Sequence, residues 1–333
     1  MDRKINRLVL VLSVLAAMLF CAAVFSLCVG SAGIPLKRVF QLFFEGRGST
    51  EYNIVFDIRF PRILLGFAVG GALALAGVIL QGVFRNPLVE PYTLGVSGGA
   101  ALGASLNIVF KLYRSSVLTL PLFGFIGAFF IIIVLYLLNM RKGTIKLQWL
   151  LLNGVMISFI SSSLIMLIMS LSRAEDMHGI IFWIMGSLDE PNWFIIKVTV
   201  VMSIALLAVS YLFCLDLNAF SLGEEEAMHL GVRTEKSKRM LFIAASLLTG
   251  LSVAVAGMIG FVGLVVPHFV KMLTGGDHRV LIPASFLSGG IFLIFCDTLA
   301  RVVIAPMELP VGVITGILGG SFFVYALAKR RSV

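Results

Sequence analysis

"LVLVLSVLAAMLFCAAVFSLCV", residues 8–29, contains no charged side chain. A bilayer core about 30 Å thick is crossed by roughly 20 apolar helical residues. Backbone N–H and C=O groups in lipid must pair within their own segment, which makes such a block a spanning helix. It exceeds the apolar core of a cleaved leader, about 7–15 residues, and no small-x-small cleavage site follows it, so it is kept as a span. Comparable blocks recur to the C-terminus of a chain that is 59% hydrophobic and 13% charged. The class is an all-α polytopic membrane protein.

Working outward, ten spans are expected, at 8–29, 61–84, 94–110, 117–139, 147–170, 194–215, 238–256, 262–273, 281–304 and 310–328. The apolar run over 240–270 is long for one helix, and Gly257, Gly260, Gly263 and Pro267 divide it into two, the second short. An even number of spans puts both basic termini on one side: Arg3, Lys4 and Arg7 at one end, Lys329, Arg330 and Arg331 at the other. With the termini inside, cytoplasmic segments hold most of the 26 lysines and arginines, as the positive-inside rule requires. The net charge of +9 therefore records membrane orientation and does not call for a nucleic-acid partner.

The chain carries an internal echo. "GGALALAGVILQGVFRNP" (70–87) aligns with "GLSVAVAGMIGFVGLVVP" (250–267), pairing Gly70 with Gly250, Ala74 with Ala254, Gly77 with Gly257 and Pro87 with Pro267. An odd number of spans separates the copies, so they cross in opposite directions, as inverted transporter repeats do. The expected organisation is one transmembrane domain over 1–333, with repeat halves at 61–215 and 238–328 around a cytoplasmic segment, 216–237. Gly95, Gly99 and Gly103, and again Gly312, Gly316 and Gly320, form rows that let helix backbones approach closely.

That cytoplasmic segment contains "SLGEEEAMHLGV" (221–232). Ser221 and Glu224 have capping-box spacing, the acids Glu224, Glu225 and Glu226 suit a helix N-terminus, and Gly231 is a natural stop. A helix over 222–230 would be about 14 Å long, with Ala227 and Leu230 on one face for a partner to grip. A merely solvated loop helix is the other reading. No G-x-x-x-x-G-K-[ST] occurs, so this chain cannot cradle nucleotide phosphates in a P-loop, and ATP-driven transport would need a separate docking ATPase.

Catalytic chemistry has no foothold. Cys21, Cys28, Cys214 and Cys296 lie in apolar blocks without C-x-x-C spacing and read as small buried hydrophobes. His178, His229, His268 and His278 are far apart, with no metal-ligand spacing; His268, beside Pro267, reads as a helix-break residue bonding locally. No catalytic residue, metal or bound cofactor is expected.

Several stretches resemble the permease subunits of iron-siderophore, haem and cobalamin ABC importers. They are "RFPRILLGFAVGGALALAGVILQGVFRNPLVEPYTLGVSGGA" (59–100), "AGMIGFVGLVVPHFVKMLTGGDHRVLIP" (256–283) and "DTLARVVIAPMELPVGVITGILGG" (297–320). The resemblance implies ten helices per subunit, a homodimer around a central pathway in the inner (cytoplasmic) membrane, two ATPase subunits holding ATP and Mg, and a periplasmic or lipid-anchored binding protein. It makes residues 218–232 the coupling helices that sit in a cleft of the ATPase, with Ser221, Glu224, Glu225, Glu226, Ala227, Leu230 and Gly231 in contact range. Met228 and His229 depart from the family's second alanine and its neighbour. The cargo would be a metal chelate: ferric siderophore by family frequency, with haem, cobalamin, molybdate or tungstate on the same scaffold.

By the same resemblance Arg59, Arg62 and Arg301 meet glutamates on the binding protein, a task that suits a guanidinium's two parallel bonds to a carboxylate. Two other readings stay open: headgroup anchoring for Arg59 and Arg62, and for Arg301 an i, i+4 structural pair with Asp297. Asp297 is the one acid within a span, which raises a different class of function, a proton-coupled carrier. Asn153, Ser158, Ser161 and Ser162 on the fifth span are the pathway candidates, since the family lines its pathway with the fifth and tenth helices; close helix packing is the other reading of those small residues.

Overall fold

The computed structural model describes residues 2–46, 48–141, 144–190 and 192–330; Arg331 of the C-terminal basic cluster lies outside them. The chain is a helical bundle. It begins with α1 (Asp2–Cys28), α2 (Leu36–Glu45) and α3 (Thr50–Tyr52); a π-helical stretch (Asn53–Arg59) then carries the chain without a break into α4 (Phe60–Phe84). A 3-10 turn (Pro91–Leu94) leads into α5 (Val96–Val109), followed by α6 (Thr119–Asn139), α7 (Leu147–Leu171), α8 (Ala174–Met185) and α9 (Trp193–Tyr211). Two short helices, α10 (Cys214–Phe220) and α11 (Glu224–His229), precede α12 (Thr234–Ala256), α13 (Val262–Thr274), α14 (His278–Ala300) and α15 (Val311–Arg330). Strand structure among the described residues is a two-residue hairpin, Met140–Arg141 with Thr144–Ile145.

A helix stands at each of the ten expected positions. Seven of them are long and apolar enough to cross a membrane, while Val96–Val109, Val262–Thr274 and Val311–Tyr325 are shorter. The added helices α2, α3, α8, α10 and α11 lie in the connections. Gly257 and the loop after it end α12, with φ +68 at Gly257 and φ 67 at Phe261. Pro267, expected as a breaker, sits inside α13. Its missing N–H leaves the Gly263 carbonyl without its i+4 donor, and Gln81 Nε2 of α4 donates to that oxygen at 3.2 Å instead.

The centre is α4, packed against α14, α12, α13 and α9. Its crossing with α14 is glycine-enabled: a Cβ on Gly70 would lie 2.3 Å from the Gly289 carbonyl oxygen, so that approach excludes any side chain. The two predicted glycine rows differ. Gly99 and Gly103 lie against the α6 backbone, and Gly312 against Met185 O, whereas nothing among the described residues lies within 4 Å of a Cβ at Gly316. Of the cysteines, Cys214 and Cys296 are buried, but Cys21 is exposed on α1, where burial was expected.

One contact ties the two irregular segments of the bundle together. Tyr92 donates its hydroxyl hydrogen to Ile259 O and accepts from Ile259 N, both at 2.8 Å. These bonds satisfy backbone groups that the break between α12 and α13 leaves outside any helix, a requirement at membrane depth.

Candidate functional site

Two polar constellations occupy opposite ends of α4, and Arg62 and Gly82 within it are about 30 Å apart along the helix axis. The first lies where α1, α4 and α14 meet. Arg59 Nη1 donates to Leu27 O at 2.6 Å, and its Nη2 donates to Ala32 O. Arg62 Nη1 reaches Glu308 at 2.7 Å, and its Nε lies 3.3 Å from Asp297 Oδ1. The other Asp297 oxygen accepts from Arg301 Nε at 3.0 Å, and Arg301 Nη2 donates to Ser26 Oγ at 2.7 Å. All three guanidinium groups are 3–5% exposed.

This differs from three arginines held out to a partner or to lipid headgroups. Each is paired or hydrogen-bonded within the chain, as buried charge requires, and the Arg62 Nε contact with Asp297 Oδ1 is an ion pair without hydrogen-bond geometry. Asp297 bridges Arg62 of α4 and Arg301 of its own helix. Glu308, in the loop before α15, remains 43% exposed and is the accessible member of the cluster. Sequence reading missed it, since nothing local connects position 308 with position 62.

The second constellation is the segment with α10 and α11. Ser221 does not cap α11. Its hydroxyl donates to Asn218 O at 2.6 Å and closes α10, and the N-cap is Gly223 at φ 132. With its hydroxyl bonded back to Asn218 O, Ser221 is the C-cap of α10 and lies two residues before the Gly223 N-cap of α11. The end of α11 is as expected: Gly231, φ 84, donates to Met228 O while Val232 N donates to Ala227 O, the paired bonds of a Schellman motif. The helix spans six residues, Glu224–His229, shorter than the expected 222–230.

This segment is locked to the bundle. Glu224 pairs with Lys238 Nζ at 2.6 Å, and the same ammonium meets Glu235 at 2.5 Å. Ser237 donates to Asp216. Asn218 Nδ2 donates to Asp277 Oδ1 at 2.9 Å, and Asn218 Oδ1 accepts from His278 N at 2.9 Å. Burial raises the Asp277 carboxyl, but bonds from Arg279 and Asn218 outweigh it and hold the pKa down at about 2. Ala227, expected on the gripping face, is fully buried beneath α11; the exposed apolar groups are Leu222, Met228 and Leu230, alongside Glu225 and Glu226.

The small residues of α7 divide. Ser161 is buried, packed where a Cβ on Gly98 would fall 2.9 Å from its own Cβ, and Ser158 Oγ donates to Gly154 O at 3.0 Å. Asn153 Nδ2 donates to Asn139 Oδ1 at 3.0 Å. Ser162 alone of the four is exposed, one residue and about 100° around the helix from Ser161. Close packing therefore accounts for Ser158 and Ser161. No group of three or more His, Cys, Asp or Glu positioned to hold a metal ion occurs among the described residues.

This architecture has known counterparts. The family model for the FecCD transport family matches residues 16–329. The chain belongs to the FecCD transport family. The Fe(3+) dicitrate transport system permease protein FecD of Escherichia coli is 37% identical over 98% of this chain and 100% of its own length. The hemin transport system permease protein HmuU of Yersinia pestis is 36% identical over 97% and 96% respectively. A solved inward-facing conformation of a metal-chelate type ABC transporter superposes with a TM-score of 0.84 at 31% identity, covering 97% of this chain and 99% of that one. This FecCD-family chain is thus a transport permease of the membrane, and its buried arginine cluster and locked α10–α11 segment are features of a permease scaffold.

Proposed function

We propose that this chain is the membrane subunit of a binding-protein-dependent ABC importer for a metal chelate, working as a homodimer of ten-span subunits built on an inverted repeat. The observation that carries this reading is the α10–α11 segment. It is a rigid polar knob, bonded to α12 and α14 through Glu224, Asp216 and Asn218, that presents Leu222, Met228 and Leu230 to whatever docks there. A force applied to that knob reaches the bundle directly, because its anchors are the ends of long helices. Together with a family of transport permeases and a chain without a P-loop, this supports an ATPase on a separate subunit.

On this reading the knob and both termini face the cytoplasm, and the arginine-cluster end faces the periplasm of an inner membrane. The binding protein docks on that outer rim. Its carboxylates would reach Arg62 by displacing Glu308, while Arg59 and Arg301 brace the rim from within. The pathway runs beside the exposed faces of α7 and α15, with Ser162 and the open Gly316 turned toward it. Ferric siderophore is the favoured cargo, haem and cobalamin the neighbouring ones. A proton relay at Asp297 finds no support in a carboxylate held between two arginines.

The test is reconstitution with an ABC ATPase and a substrate-binding protein from the same organism. Leu230→Asp should cut ATP-driven chelate uptake at least about tenfold, and Leu230→Cys should crosslink to the ATPase. Uptake by the isolated chain under a proton gradient, indifferent to ATP, would overturn the reading.

A further inference from the structure

Beside α10, the ends of α4, α13 and α14 line a cavity of about 500 Å³. Its lining includes Arg85, Lys271, His268 and His278, with Asn86 and Ser221, and no carboxylate. The two histidines sit at the back, 8% and 4% exposed, and the two permanent cations stand exposed at the mouth. Neither Arg85 nor Lys271 has a carboxylate partner among the described residues. Of the acids nearby, Asp277 is engaged by Asn218 and Arg279 and Glu224 by Lys238, while Glu226 stands exposed outside the cavity, across Gly223 from Arg85.

The donors are arranged around the space. Arg85 ends α4 in a left-handed conformation, φ 50 and ψ 33, uncommon for a residue with a side chain. Its guanidinium reaches the α10–α11 link, where a Cβ on Gly223 would lie 3.6 Å from Nη1. Asn86 uses its amide oxygen to accept from Leu88 N at 2.9 Å, leaving its NH₂ group to donate. His278 Nδ1 meets Asn218 Oδ1 at 2.8 Å; that oxygen only accepts, so Nδ1 carries a proton. The result is a concave site whose lining, among the described residues, carries two cations and an amide donor and no carboxylate.

We infer that this cavity binds a phosphate-bearing anion, a phosphomonoester or phosphodiester. Arginine's fork suits phosphate oxygens, lysine adds a point charge, and basic recesses between helix ends of membrane proteins take anionic headgroups. The room exceeds a bare phosphate and leaves space for a glycerol-sized substituent. A bound anion would tie the end of α4 to Gly223 and Ser221, bracing the α10–α11 segment. The inference does not depend on the transport reading, since it concerns the isolated chain.

The experiment measures binding to the purified full chain of two probes. One is inorganic phosphate, followed by the thermal unfolding midpoint in phosphate-free detergent. The other is phosphatidylglycerol in phosphatidylcholine nanodiscs, followed by phosphorus retained on the chain. Wild type should bind at least one. Arg85→Gln and Lys271→Gln, both at exposed side chains, should each weaken that binding about tenfold, the equivalent of one charge-assisted contact. Arg114→Gln, the same charge change in the α5–α6 turn, should leave it unchanged. Binding of phosphatidylglycerol alone identifies a lipid source, and binding of phosphate as well identifies a free one. No binding of either probe, or equal binding by the Arg85 and Lys271 variants and wild type, overturns the site.

Discussion

Asp297 is 1% exposed and faces one guanidinium with each of its oxygens. Replacing it by asparagine leaves Arg62 and Arg301 buried without their shared counter-charge, and breaking a buried pair in this way costs about 3–5 kcal/mol. Asp297→Asn should therefore lower the unfolding midpoint in detergent steeply; a variant as stable as wild type would mean that the carboxylate is not the keystone of this cluster. Asp277 makes a gentler case at the other end. Its folded pKa of about 2 lies below the ordinary 3.8, so the folded state favours the ionised form. That contribution is complete above about pH 4 and is lost as the pH falls through about 2. The stability gap between wild type and Asp277→Asn should accordingly close on acidification across that window, read from unfolding midpoints against pH. Arg62's partner Glu308 was not legible locally, because it stands 246 positions away. Only the spacing of Asp297 and Arg301 signalled a pair, four residues apart on one helix face.

Helices of this chain meet through absent side chains and through single bridging groups. A methyl group on Gly70 would collide with the Gly289 carbonyl, so Gly70→Ala should push α4 from α14 and cost about 1–3 kcal/mol or more. Gly316→Ala meets nothing among the described residues within 4 Å, and in a helix interior alanine is favoured by about 0.5–1 kcal/mol. Comparing the two unfolding midpoints separates packing within the chain from packing against a second copy: a loss of assembly in Gly316→Ala without loss of fold places that face at an interface. Tyr92→Phe removes both bonds to Ile259, leaving the break after α12 with an unsatisfied N–H and C=O, and about 1–3 kcal/mol of stability should go with them. Hydrogen exchange at residues 257–261 reads that loss directly. The α12–α13 break was visible in its glycines. The expected span 262–273 already enclosed Pro267; what no local pattern showed was Gln81 of α4, whose Nε2 donates to the Gly263 carbonyl that the proline leaves free.

At the scale of the whole molecule, the two ends of α4 carry different kinds of polar structure. One end is closed, with Arg62 paired to Asp297 and Glu308, Arg301 paired to Asp297, and Arg59 held by backbone carbonyls. The other presents a locked acidic knob with exposed Leu222, Met228 and Leu230 next to a basic cavity. Residues 8–29 and the blocks like them were enough to specify an all-α membrane bundle, since a bilayer imposes length and apolarity on each crossing segment independently of the others. The acidic stretch at 221–232 likewise announced a short polar helix and its glycine stop. Which side chains are free to act was beyond sequence. Ala227 is buried under its own helix, Ser161 is packed and Ser162 exposed, Glu224 is consumed by Lys238, and the three arginines turn inward. Such outcomes are set by which helix ends meet, a long-range property; hydropathy and capping patterns are local, and tertiary packing alone brings Asn218 to His278, Tyr92 to Ile259 and Arg62 to Glu308.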